Sequence, residues 1–218
     1  RLKEITGNSD PFREVKRKEM AFAGTIASQM NPQQDLRSLI EFAAVGNTLD
    51  FFKDPKSLRE AIEGFPGFVR DDVDAFARGL SSARQILYLA DNAGECFFDA
   101  PLVAHLAKAA EAIYVVRDSS AQNDITYADL EFAGLAHRMG KVLTTGDDAI
   151  GIDPKTASEE LMREMGNSDL IIAKGMGNYE TLSEMPTRGR VLYVLMAKCQ
   201  PVASSLGVPI NSYLAIMG

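Results

Sequence analysis

The stretch Asp91-Asn92-Ala93-Gly94-Glu95 follows the apolar run Gln85-Ile86-Leu87-Tyr88-Leu89-Ala90 and precedes Asp99-Ala100-Pro101-Leu102. Two carboxylates, an amide oxygen and a glycine at the end of a buried strand offer oxygen ligands to a hard metal ion. In open α/β sheets the ligand crevice lies outside the carboxyl ends of the strands, where this stretch falls. Capping chemistry is the competing account, because Asn92 with Glu95 three residues later fits a capping box. Pro101 in turn suits the first turn of a helix capped by Asp99 or Ala100, which predicts a loop over 91–98 and a helix from Pro101 to Ala110.

Four more polar clusters each come just after an apolar run of strand length. They are Arg117 and Asp118 with Gln122-Asn123-Asp124, then Thr144-Thr145-Gly146-Asp147-Asp148, then Lys174-Gly175-Met176-Gly177-Asn178, and finally Lys198-Cys199. In a parallel sheet these strand ends share one edge, so the clusters converge. Asp124 is either the N-cap of a following helix or a second metal carboxylate facing Asp91. The Lys174 cluster pairs a point charge suited to phosphate with glycines that let backbone N–H groups approach an anion, or is a plain strand-to-helix turn. It is not a phosphate-binding loop of the Gly-Lys-Ser/Thr kind, and Glu180 stands where a dinucleotide fingerprint needs its third glycine.

Other groups with chemical potential carry less. His105 and His137 have no metal-partner spacing, no Gly-x-Ser-x-Gly elbow occurs, and Cys199 has no evident supporting histidine and reads as a buried thiol. Gly46-Asn47 and Asp50 interrupt an apolar helical pattern; they are either a packing notch or a contribution to the crevice.

The elements that must position these residues fall into two grammars. Residues 1–82 read as helical throughout and predict an N-terminal all-helical domain. Its helices run from Asp10 to about Met30, from Leu36 to Phe51, from Leu58 to Glu63, and through Val73, Phe76 and Leu80, with breaks at Asn31-Pro32, Pro55 and Phe65-Pro66-Gly67. Over 83–218, apolar runs at Ile86–Ala90, Ala112–Val116, Lys141–Leu143, Leu170–Ala173 and Val191–Ala197 alternate with helical patterns at Ile125–Met139, Thr156–Met165 and Tyr179–Met185. Near-continuous apolar strands separated by helices predict a mostly parallel sheet covered on both faces, a three-layer α/β/α sandwich with right-handed crossovers.

Bulk properties bound the partners. The chain has 218 residues and a net charge of −7, which gives no electrostatic footprint for nucleic acid. No apolar run is long enough to span a bilayer. Two cysteines suit a reducing, cytoplasmic compartment rather than a disulfide framework. The chain opens on Arg1 with no signal-peptide pattern, and an upstream segment is expected to be missing.

With these residues in hand, the sequence resembles the damage-control phosphatases, in particular their stand-alone prokaryotic, mainly archaeal, branch. The resemblance rests on Asp91-Asn92-Ala93-Gly94-Glu95 with Phe98-Asp99, on Asn123-Asp124, on Lys174-Gly175-Met176-Gly177-Asn178, and on Ala43 through Asp50. It implies an α/β/α fold with a helical N-terminal portion, a divalent metal held by Asp91, Asn92 and Asp124, phosphate contacts from Lys174, and hydrolysis of small phosphorylated metabolites such as sugar phosphates. Two departures stand out: the branch's opening paired-cysteine segment is absent, and Asp118-Ser119-Ser120-Ala121-Gln122 is more polar than the corresponding loop.

The expected reaction is hydrolysis of a phosphomonoester with Mg²⁺ or Mn²⁺, Ni²⁺ or Co²⁺ being conceivable substitutes. Glu95 is the candidate to orient or deprotonate water. Lys174 and backbone N–H groups around Gly94 and Gly175 would hold phosphoryl oxygens. Asn47, Asp50, Arg117, Asn123 and Asn178 complete the expected substrate-binding set. Two other classes compete. A carboxyl methyltransferase using S-adenosylmethionine would survive chelation of metal, and a metal- or phosphometabolite-binding sensor would show no turnover. The sequence fixes neither the physiological substrate, nor the preferred metal, nor the oligomeric state.

Overall fold

The computed structural model describes residues 2–48 and 64–218. Asp50, the end of the helix expected to run to Phe51 and the helix expected over 58–63 lie outside the described residues. In chain order the elements are α1 (Leu2–Thr6), α2 (Arg13–Ser28), α3 (Leu36–Gly46), β1 (Arg70–Asp71), α4 (Val73–Leu80), β2 (Gln85–Leu89), α5 (Cys96–Leu106), β3 (Glu111–Val116), α6 (Tyr127–Phe132), β4 (Lys141–Thr144), α7 (Glu159–Asn167), β5 (Leu170–Lys174), α8 (Gly175–Leu182), β6 (Val191–Met196), α9 (Gln200–Leu206) and β7 (Tyr213–Met217). Short 3₁₀ turns occupy Ala93–Glu95 and Ala136–Arg138.

The strands form one mixed sheet in the order β1-β7-β6-β5-β2-β3-β4, parallel everywhere except between β6 and β7. Period-two alternation sends Ile86, Tyr88, Tyr114, Ile172 and Val194 to one face, where helix residues such as Leu39, Phe76, Leu102 and Leu130 meet them. Leu87, Leu89, Ile113, Ile171 and Leu195 go to the other face, against Leu161, Leu182 and Val202. The fold is therefore α/β, with a mostly parallel sheet and helices on both sides.

The first segment departs from expectation. Met20, Leu39, Ile40 and Phe76 share one buried cluster with Ile86, Tyr88 and Leu192 of the sheet. Its described part is also not all-helical, because Arg70–Asp71 adds a parallel edge strand beside β7. Two exposed residues give no apolar run for a sequence pattern to detect.

Tertiary packing also moves helix boundaries. The helix expected from Pro101 begins at Cys96, directly after the 3₁₀ turn, and carries Pro101 inside it. Phe97 and Phe98 draw the chain into helix early. Phe98 meets Phe42 in a tilted ring contact with centroids 4.9 Å apart, and a Cβ on Gly46 would come within 2.9 Å of the Phe98 Cβ. Gly46 is thus a packing notch between α3 and α5. The helix expected over Ile125–Met139 ends at Phe132, and Gly134 then takes a positive φ of 68°. Strand β7 and helix α9 add two elements to those expected.

Candidate active site

From β2 the chain adds β3 and β4 on one side, and β5, β6 and β7 lie on the other. The switch point therefore falls between β2 and β5, where a crevice forms outside the strand ends. The Leu89↔Ala173 register, continued by two residues, brings Asp91 to Gly175. Asn92 forms an isolated bridge with Asp124, and Arg117 one with Thr126. The loops after β2, β3 and β5 therefore meet at one place.

The capping alternatives resolve locally. Asn92 precedes the 3₁₀ turn, but its side chain makes no capping bond. Its amide instead donates to Asp91 Oδ2 at 3.0 Å and to Glu95 Oε1 at 2.7 Å. Asp124 does not cap the next helix either. Thr126 does, in a capping box closed by Asp129. Nor does Asp99 cap α5: it accepts from Tyr88 and Tyr114 hydroxyls at 2.6 and 2.9 Å and from Lys174 at 2.9 Å.

Asn47, the C-cap of α3, is fully buried. It donates to Asp91 Oδ2 at 2.8 Å and to Glu95 Oε1 at 2.9 Å, and its own oxygen accepts from the Met196 N–H. Two amides thus turn their N–H groups toward Asp91 Oδ2. On the opposite carboxylate, Arg117 Nε donates to Asp124 Oδ2 at 2.7 Å. Among the described residues this leaves Asp91 Oδ1, Asn92 Oδ1 and Asp124 Oδ1 without hydrogen bonds.

These three oxygens are the groups that could hold a divalent ion. The donor set is hard, with two carboxylates and one amide. Among the described residues no group of three or more His, Cys, Asp and Glu side chains is placed to hold a metal, so a three-oxygen set here would need the Asn92 amide. Charge crowding fits a cation here. Burial, then the Glu95 and Asp124 charges, push the Asp91 carboxyl well above the ordinary carboxylate range. Burial also raises Asp124 against the opposing pull of Arg117.

Lys174 ends β5 with its side chain 0 % exposed. It donates to Glu95 Oε2 at 2.6 Å and Asp99 Oδ1 at 2.9 Å. Burial alone would lower its proton affinity, but the Asp99 and Glu95 charges outweigh burial and raise it. Burial likewise works against the Glu95 carboxylate, yet Lys174 and Lys198 hold its pKa below the ordinary value. Both residues are therefore charged, paired and closed to solvent, beneath the loop.

The remaining sequence candidates fall behind or beside this centre. Arg117 also donates to the Gly151 carbonyl and, at 3.4 Å, to Asn178 Oδ1. Asn178 donates to the Ala90 and Lys174 carbonyls, tying the ends of β2 and β5 together. The Asn123 carbonyl accepts from the Ala93 N–H. Gly94 is buried in the turn, and Gly175 opens α8 with a φ of 77°.

Two groups near the centre have no role in the sequence reading. Half-buried Lys198 follows β6, and its charge acts on Asp91, Glu95 and Glu19. Among the described residues its ammonium has no ion-pair partner, unlike Lys174. Glu19 comes from α2, which packs on the Ala93–Glu95 turn. One turn before it, fully buried Lys16 pairs with Asp10 at 3.1 Å and Asp129 at 2.7 Å. The only sequence signal for either α2 residue is a charged position in register with Met20 and Ala23 on a buried helix face.

The model of the damage-control phosphatase ARMT1-like domain matches residues 1–214. The chain belongs to the damage-control phosphatase family. It is 36 % identical over 216 residues to a damage-control phosphatase of Pyrococcus horikoshii, covering 95 % of this chain and 75 % of the relative. It is 32 % identical over 232 residues to a damage-control phosphatase of Archaeoglobus fulgidus, covering 99 % of this chain and 78 % of the relative. The crystal structure of a DUF89 family protein from Pyrococcus horikoshii superposes with a TM-score of 0.89 at 34 % identity, over 99 % of this chain and 78 % of that one. These family names support a phosphatase, and hence a hydrolase, role. Among the described residues no helix is long and apolar enough to cross a membrane.

Proposed function

We propose that the protein is a divalent-metal-dependent phosphomonoester hydrolase acting on small phosphorylated metabolites, with sugar phosphates as the class to test first. The observation that carries this reading is the set of three oxygens on Asp91, Asn92 and Asp124 that, among the described residues, are left without hydrogen bonds while their neighbouring atoms are held. Family membership supports the phosphatase part, and the donor chemistry supports Mg²⁺ or Mn²⁺ with Ni²⁺ or Co²⁺ as substitutes.

A bound divalent ion would supply charge neutralisation at a phosphoryl oxygen and an activated water. The chain's own residues do the rest. Asn47 and the Asn92 amide hold Asp91 Oδ2 and so aim Oδ1; Arg117 does the same for Asp124. Glu95 anchors both amides and is kept ionised by Lys174. In this reading the Glu95–Lys174 pair fixes the loop and its charge, since each is already paired and closed to solvent. Lys198, without an ion-pair partner among the described residues, takes a non-bridging phosphate oxygen as a charge-assisted donor.

The test is phosphate release across a panel of phosphometabolites with and without chelator, joined to metal titration of Asp91→Ala and Asp124→Ala. Release that stops on chelation, and tight metal binding lost in both folded variants, is expected. Methyl transfer that survives chelation, or ligand binding with no turnover on any panel member, would overturn the reading.

A further inference from the structure

Glu19 is the buried carboxyl near the centre that the proposed chemistry leaves unused. Both of its oxygens are closed off and, among the described residues, neither has a hydrogen-bond partner. The groups around it belong to the crevice. The Gly94 amide and the Asn123 side chain face the carboxyl without completing a hydrogen bond, and the Lys198 and Glu95 charges act on it. Buried polar groups are almost always satisfied, and one that is not needs a reason. A ligand that brings its own donor is such a reason, because Gly94 lies between the candidate ligand Asn92 and Glu95, and Asn123 adjoins the candidate ligand Asp124.

We propose that Glu19 is a specificity-determining residue that hydrogen-bonds a hydroxyl on the organic part of a phosphorylated substrate. The proposal deepens the phosphomonoester reading and rests on it for the placement of the phosphate. The chemistry selects a hydroxyl over other partners. A phosphate oxygen is an acceptor and would meet the ionised carboxylate unfavourably. A ligand ammonium would have to share the space with Lys198. A hydroxyl both donates and accepts, so it can pair with either protonation state of the carboxyl. That matters here, because burial and then the Glu95 charge raise this group to about 7.

The test uses three phosphates of similar size: glycerol 1-phosphate, propyl phosphate and 3-aminopropyl phosphate. Each is titrated calorimetrically into the full chain in the presence of Mn²⁺, and the readout is the ratio of affinities, which a general loss of structure does not create. The wild type should prefer glycerol 1-phosphate over propyl phosphate by roughly 10-fold or more, as for a hydrogen bond to a charged or ionisable group. Glu19→Leu should bring that ratio close to one, and the isosteric Glu19→Gln should retain part of it. A ratio near one in the wild type, an unchanged ratio in folded Glu19→Leu, or a preference for the aminopropyl compound would overturn the assignment. The wild-type comparison stands even where Glu19→Leu fails to fold. Phosphate release from glycerol 1-phosphate is followed in parallel: preference without release upholds the role of Glu19 as a hydroxyl-binding group and removes the hydrolase reading.

Discussion

Gly175 and Asp91 occupy one space: a Cβ built on Gly175 would stand 1.9 Å from Asp91 Oδ2 and 2.3 Å from its Cγ. The carboxylate lies against the bare backbone at the start of α8, and Gly175 holds a φ of 77° that favours glycine. The register between β2 and β5 makes this contact unavoidable, so the residue after Lys174 can only be glycine if Asp91 is to keep its place.

Gly175→Ala is expected to displace Asp91 and strain the turn together. The backbone cost alone is about 1–2 kcal/mol for a left-handed non-glycine residue. Metal affinity should fall by more than that stability change explains, because the displaced atom belongs to the proposed ligand set. Calorimetric Mn²⁺ titration beside thermal unfolding checks it; metal binding equal to wild type would mean that Asp91 can swing aside without leaving the site.

Lys174→Met removes the cation shared by Glu95 and Asp99. Both carboxylates are fully buried, and breaking such a pair typically costs roughly 3–5 kcal/mol. Glu95 has its pKa lowered in the folded protein, so its contribution is present above the unfolded value of 4.5 and is lost as pH falls through the folded value. Without Lys174 that advantage is gone and protonation becomes a relief. The Tm gap between wild type and variant should be widest near neutral pH and narrow toward about pH 5. A gap independent of pH would show that the lysine acts through packing rather than charge.

Lys198→Met should separate binding from stability. No ion pair among the described residues is lost with it, so the Tm should change little in the metal-loaded protein. Affinity for inorganic phosphate in the presence of Mn²⁺ should drop about 10-fold, the lower end for a hydrogen bond to a charged group. Unchanged phosphate affinity would leave the crevice without its proposed phosphate cation and send the search back to the third donor of Lys174.

What the sequence disclosed, and what it withheld, follows from where the information resides. Asp91, Asn92, Asp124 and Lys174 stand next to apolar runs, so strand-end placement marks them without knowledge of packing. Asn47 was visible as a polar break in an apolar helix. Asp99 reads as a cap in the sequence because Pro101 behind it looks like a helix start; the decisive force is the burial of Phe97 and Phe98 against α2 and α3. Glu19 sits in the charged run Lys16-Arg17-Lys18-Glu19, which reads as a solvated helix face. Only the docking of α2 on the Ala93–Glu95 turn turns two of those charges inward, a long-range contact with no local signature. Lys198 is legible as a strand-end residue, but its lack of an ion-pair partner among the described residues is a property of the assembled crevice alone.

The pH dependence of stability should carry the imprint of Glu19. Its ordinary value is 4.5 and the folded environment raises it to about 7, through burial first and the Glu95 charge second, with Lys198 opposing. The folded state therefore binds this proton more tightly than the unfolded chain. Its contribution to stability is full below about pH 4.5 and is lost as pH rises through about 7. At 1.36 kcal/mol per unit the whole span is at most roughly 3 kcal/mol, an upper bound of about 6–12 °C in Tm for a chain of this size. Glu19→Gln cannot titrate, so it should lack this decline, while Asp91 and Asp124 impose the same trend on both proteins. Calorimetric unfolding with chelator present, from about pH 4.5 to 8, should show the wild-type Tm falling relative to the variant as pH rises. Two curves that stay parallel would place the Glu19 carboxyl in solvent-like surroundings and take away the burial on which its role in hydroxyl recognition rests.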